Sequence, residues 1–169
     1  MRLFKLLKEL RSYNKNTNIK LISQAYSYAK KVHKDKKRAS GESFIQHPLN
    51  VAYILAQHKS DDASIAAALL HDIERVKKNH VTEGVKLLKK LGFPEVAEVV
   101  RKHGLYKIKE KGRQPKTVEE KIVFYADKRA IGSKIVSLKE RFEALEKIYN
   151  VDLSKEFEFT KKIEKELIK

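Results

Sequence analysis

The run Ile65-Ala66-Ala67-Ala68-Leu69-Leu70, followed directly by His71-Asp72, constrains this chain more than any other stretch. Six consecutive apolar residues leave a helix no solvent face, so other elements must surround it. Asp61 or Asp62 is placed to cap its N-terminus. The run is far short of the ~20 residues needed to span a bilayer. It therefore reads as the central helix of a globular fold, with a histidine and a carboxylate at its buried end.

The rest of the chain supplies helices to cover it. No segment sustains period-2 alternation of β-branched residues, so strands are not expected. Leu3 to Ser12 reads as a first helix. Asn18 to about Lys34 reads as a second, with Leu21, Ile22, Ala25, Tyr28, Ala29 and Val32 on one stripe. A basic loop broken at Ser40-Gly41 leads to a helix from Ser43 to about His58, with His47-Pro48 near its first turns, where proline is tolerated. Val81 to Leu91 is amphipathic and stops at Gly92; Pro94 opens a helix to about His103. Thr117-Val118-Glu119-Glu120 and Ser137-Leu138-Lys139-Glu140 fit capping boxes and open helices to about Ala130 and Tyr149. Ser154 opens a frayed last helix. The expected fold is all-α: one domain over residues 1–169 with seven to nine helices, a motif-bearing part at about 18–150 and a C-terminal helix within 151–169.

Composition narrows the chemistry. With no cysteine among 169 residues there is no disulfide, thiolate metal site or thiol nucleophile. Met1-Arg2-Leu3-Phe4-Lys5 lacks the apolar core of a signal peptide, which points to the cytoplasm and to no membrane partner. Lys and Arg number 38 against 22 Asp and Glu, a formal net charge of +16. That field concentrates anions such as nucleotides, phosphates or nucleic acid; a Lys/Glu-rich solubilising surface explains the same number, and charge alone names no partner.

His71-Asp72 is costly in a core unless its groups are hydrogen-bonded or metal-bound. A satisfied buried pair is the simpler reading of the dipeptide alone. It has company, however. His33, His47, His80 and His103 also lie in segments with apolar faces, and Asp127 interrupts the apolar helix Ile122-Val123-Phe124-Tyr125-Ala126. Imidazoles and carboxylates gathered from separate helices are how a helical fold builds a metal site, with Mn²⁺, Fe²⁺, Zn²⁺ or Mg²⁺ as suitable ions.

Residues 25–72 resemble the HD-domain hydrolases, and in detail the Rel/Spo-type alarmone hydrolases. The likeness lies in Ala29-Lys30-Lys31-Val32-His33, Lys37-Arg38, Ser40-Gly41-Glu42-Ser43-Phe44-Ile45-Gln46-His47-Pro48-Leu49-Asn50-Val51-Ala52 and Ile65 to Asp72. The second half is similar to the small HDIG-type phosphohydrolases, through His71-Asp72-Ile73, His80 with Glu83-Gly84, Gly92 to Ala97 leading to His103, and Val118 to Lys128. The resemblance implies an HD-domain helical bundle and a metal-dependent phosphohydrolase. It implies His47, His71, Asp72 and Asp127 as metal ligands. His80 and His103 match residues that hold a second metal in some members and contact phosphate in others. Asp72, Arg75 and Lys128 take catalytic places, and Arg38, His80, His103 and Lys128 substrate-binding ones. Mn²⁺ is the favoured ion, with Fe²⁺, Zn²⁺, Mg²⁺, Ni²⁺ and Co²⁺ as alternatives.

Two departures bear on the substrate. The alarmone hydrolases carry an acidic pair three and four residues after the dyad aspartate, where this chain has Arg75 and Val76. Glu74 replaces the glycine of the HDIG pattern, and a surface position is expected for it. The substrate implied is a nucleotide or related small phosphoester. An alarmone 3′-pyrophosphohydrolase, and a nucleic-acid-directed phosphodiesterase or RNA-binding protein, stand as alternatives. Phe142, Leu145, Ile148 and Tyr149 suit either a core or a dimer face, which leaves the oligomer open.

Overall fold

The computed structural model describes residues 3–38, 41–74, 80–105, 108, 110, 112–132 and 134–168. Among them the helices are α1 Leu3–Tyr13, α2 Ile19–Val32, α3 Gln46–Gln57, α4 Asp62–Leu70, α5 His80–Lys90, α6 Pro94–Arg101, α7 Val118–Asp127, α8 Leu138–Tyr149 and α9 Ser154–Leu167. The fold is all-α, as the periodicity requires. One small correction concerns strands: β1 Ala130–Ile131 and β2 Lys134–Ile135 pair antiparallel in a hairpin of two residues each. Strands this short carry no alternation to read. The hairpin also ends α7 at Asp127, three residues before the expected Ala130.

The caps are where the side-chain chemistry puts them. Asn18 accepts from the Leu21 amide, and Asp61, the true cap of α4, accepts from Ser64 at 2.7 Å. Asp62 is used differently: its carboxylate accepts the Asn18 amide at 2.7 Å and ties the start of α2 to the start of α4. Both capping boxes form, at Thr117/Glu120 and Ser137/Glu140.

α4 is the centre. Every residue from Ser64 to Leu70 is buried, and the helix packs against α2, α3, α6 and α7. Its alanines let these neighbours approach closely. α3 is buried nearly throughout and lies between α1, α4 and α7. Each fully buried Leu or Ile in this cluster is worth ~1.5–3 kcal/mol of transfer free energy.

A second cluster, with Ile108, Phe124, Tyr125, Leu138 and Ile163, seats α9 against α7, and α8 packs on α9. Phe142 and Leu145 are buried on this side, with Phe142 edge-on to Phe157, whereas Ile148 and Tyr149 are exposed. Among the described residues no helix is long and apolar enough to cross a membrane.

Candidate metal centre

Four helix ends converge on one buried point. His47 is the second residue of α3. His71 caps the C-terminus of α4, and Asp72 stands in the turn after it. His103 follows Lys102, the C-cap of α6. Asp127 is the last residue of α7, and Lys128 its C-cap. Three of these ends are helix C-termini, whose partial negative charge favours a cation.

The polar atoms meet closely. The His47 Nε2–H donates to Asp127 Oδ1 at 3.0 Å. His71 Nε2 lies 3.5 Å from the same oxygen and 3.6 Å from Asp72 Oδ2. His47 Nε2 is 3.9 Å from Asp72 Oδ2, and His103 Nε2 is 3.9 Å from Asp72 Oδ1. The rings of His47, His71 and His103 stand edge to face in sequence, with centroids 5.2 and 5.0 Å apart. Two overlapping sets, His47/His71/Asp127 and His71/Asp72/His103, each bring three ligand atoms within reach of one ion.

The hydrogens decide whether these residues suit a metal. His71 Nδ1 is 2.8 Å from the Ala68 carbonyl, and His103 Nδ1 is 2.6 Å from the Val100 carbonyl. A carbonyl only accepts, so Nδ1 carries the proton in both rings and Nε2 presents its lone pair to the cluster. His71 Nε2 is buried and makes no hydrogen bond. A lone pair aimed at two carboxylates, without a donor between them, fits a cation. The donor set of neutral imidazole and carboxylate, without sulfur, suits a borderline or hard divalent ion.

The electrostatics agree. Burial pushes His47 below its usual range, against the opposing pull of Asp127, and burial with the neighbouring His71 pushes His103 down to about 3. Both are neutral at pH 7, as ligands must be. His71 goes the other way: burial lowers its pKa, but Asp72 and Asp127 together outweigh burial and raise it. Burial works against ionised Asp127 as well, yet Lys128, His47 and His71 hold its carboxyl well below the usual range. The carboxylates thus create a local demand for positive charge.

The remaining predicted residues are placed as follows. Lys128 is buried beside Asp127, and His103 closes the α6 side. Arg38 is half-buried, with its guanidinium 5.1 Å from the centroid of the Phe44 ring. Phe44 in turn stacks on His33 at 4.6 Å. Glu74, expected at the surface, is only partly exposed. Arg75 lies outside the described residues; His80 opens α5, and its side chain also lies outside them. Two positioning features escaped the sequence reading. One is the Arg38–Phe44–His33 stack, whose only signal was an aromatic residue three before His47. The other is Asn50, buried on α3, whose amide donates to the Gly132 carbonyl at 3.0 Å and joins α3 to the hairpin after α7.

Residues 44–131, just over half of the chain, match the HD domain family. The chain belongs to the HD-domain family. The matched span begins just before α3 and ends in β1, so it contains His47, His71, Asp72, His103 and Asp127. The chain is also similar to longer curated proteins. It is 38% identical over 109 residues to the GTP pyrophosphokinase rsh of Brucella melitensis, covering 64% of this chain and 14% of that protein. It is 45% identical over 74 residues to the bifunctional (p)ppGpp synthase/hydrolase SpoT of Escherichia coli strain K12, covering 43% of this chain and 10% of that protein. A GTP pyrophosphokinase of Myxococcus xanthus is 47% identical over 60 residues, 36% of this chain and 8% of that one. The chain thus spans a small fraction of the length of these relatives.

Proposed function

We propose that this HD domain is a metal-dependent phosphohydrolase acting on a nucleotide or related small phosphoester. The observation that carries the reading is the convergence of His47, His71, Asp72 and Asp127, delivered by α3, α4 and α7, around the free Nε2 lone pair of His71. These four would hold a divalent ion, with His103 close enough to share Asp72 with it. When bound, such an ion supplies a Lewis acid for a phosphoryl oxygen and lowers the pKa of water from 15.7 towards ~7.

The side chains divide the remaining work. Asp72 turns Oδ2 to His47 and His71 and Oδ1 to His103. Its Oδ1 is the atom suited to accept the proton of an attacking water. To Arg38, a charged planar group supported on the Phe44 ring, we assign the contact to the substrate's phosphate. A mixed nitrogen and oxygen set without sulfur accommodates Mn²⁺, Fe²⁺, Zn²⁺ or Mg²⁺, and among these Mn²⁺ is the ion we favour.

The names of the relatives favour one narrower substrate. Proteins called (p)ppGpp synthase/hydrolase and guanosine-3′,5′-bis(diphosphate) 3′-pyrophosphohydrolase are each similar to 43% of this chain. Against it, Arg75 and Val76 occupy the places of the alarmone hydrolases' acidic pair. A nucleotide substrate also puts the reaction in the cytoplasm.

The test is direct. Purified protein should bind about one equivalent of Mn²⁺ or more, and His71→Ala and Asp72→Ala should each abolish binding and turnover. Guanosine tetraphosphate, nucleoside mono-, di- and triphosphates, cyclic dinucleotides and an aryl phosphate would be compared with Mn²⁺ present. Wild type that neither binds a divalent ion nor hydrolyses any of these sinks the proposal.

A further inference from the structure

We infer that Lys128 is a positioning residue of the metal centre, one that aims Asp127 and anchors His103 without touching the substrate. This rests on the phosphohydrolase reading above. The residue type and its place beside a ligand suggest a phosphate contact; the geometry points elsewhere. Lys128 is 2% exposed, as buried as the histidines around it. Its Nζ donates to Asp127 Oδ2 at 2.6 Å and to the His103 carbonyl at 2.5 Å, and stands 4.4 Å from the centroid of the Phe124 ring. An ammonium has three hydrogens, and two acceptors and a ring face account for them. To meet a phosphate, it would have to abandon one of these partners from a position with almost no surface.

The bonds also divide Asp127 by atom. Oδ1 faces His47 Nε2 and His71 Nε2, whereas Oδ2 faces the ammonium. Lys128 therefore fixes which oxygen is presented to the ligand cluster. Through the His103 carbonyl it joins the end of α6 to the end of α7, so two residues of the centre, brought from different helices, share one anchor. Outer partners of this kind orient the ligands, and their loss typically weakens metal binding ~10–100-fold. The opposing effect is repulsion between the ammonium and a bound dication, which predicts the reverse sign.

Wild type, Lys128→Met and Lys128→Gln would be titrated with Mn²⁺, free ion being read by electron paramagnetic resonance. The Mn²⁺-loaded proteins would then be titrated with inorganic phosphate by calorimetry, and thermal unfolding would confirm that each variant folds. Lys128→Met should weaken Mn²⁺ binding ~10–100-fold while leaving phosphate affinity within about threefold. Lys128→Gln keeps two N–H donors but not the charge, and should recover much of the Mn²⁺ affinity. Mn²⁺ binding unchanged or tighter in Lys128→Met overturns the inference, as does a tenfold loss of phosphate affinity in either variant. Should Lys128→Met not fold, the phosphate titration of Lys128→Gln decides in the same way. Wild type that binds no Mn²⁺ instead removes the metal-centre reading itself, and this inference with it.

Discussion

Burial at the centre leaves its histidines with a pH signature. His33, buried behind Phe44 with neither ring nitrogen hydrogen-bonded, is pushed down to about 4, chiefly by burial, and His103 to about 3. An unfolded chain protonates both near pH 6.5. Between that pH and about 4 the unfolded state therefore binds more protons, so stability must rise with pH across the window. For metal-free protein we expect the unfolding free energy to fall on acidification from pH 7 to 4.5. The slope should reach at most ~1.4 kcal/mol per pH unit for each histidine. Urea unfolding at several pH values checks this, and His33→Phe should flatten the curve; equal slopes in both proteins would refute the assignment. Legibility at this scale was uneven. His71, Asp72 and Asp127 stood out because they are polar residues in apolar runs. Lys128 stood out only through the family resemblance, and as a catalytic and substrate-binding residue; nothing in its local pattern tells it from an exposed lysine until its three partners are seen.

At the scale of elements, α4 was the most legible part of the chain because six apolar residues in a row admit one environment. The caps were legible for the same reason: a side-chain oxygen placed three residues before a helical amide has one use. The hairpin after α7 was not, because two residues per strand leave no period. α4 also sets the tolerance of the fold. Ala67 is fully buried on the helix that α2, α3, α6 and α7 enclose. Ala67→Leu would force three more carbons into this contact and should destabilise by ~1–3 kcal/mol, with helical content retained. Denaturant unfolding followed by circular dichroism tests it; a variant as stable as wild type would mean that α4 has room the packing does not show.

Across the whole molecule the centre is assembled from points far apart in the chain, with 80 residues between His47 and Asp127. Spacing of that kind cannot demonstrate convergence, which is why the sequence offered candidate ligands without their meeting point. What holds the two halves in register is partly the hairpin. Gly132 has φ +54°, and a Cβ there would fall 1.9 Å from Glu42 Oε2; its carbonyl accepts from Asn50. Gly132→Ala should therefore cost ~1–2 kcal/mol for the left-handed backbone alone, before the carboxylate is displaced. Calorimetric unfolding measures that loss.

Glu42 belongs to the turn in which the Arg38 and Gly41 backbones bond to each other and the Arg38 amide bonds to the Glu42 carbonyl. The far hairpin thus works as a strut beneath Arg38, the residue proposed above to meet the substrate's phosphate. A nudge at Gly132 should travel along it to the mouth of the site, loosening the grip on the anion while the ion's own cage stays intact. A raised KM at unchanged Mn²⁺ affinity in Gly132→Ala would be the mark of that lever.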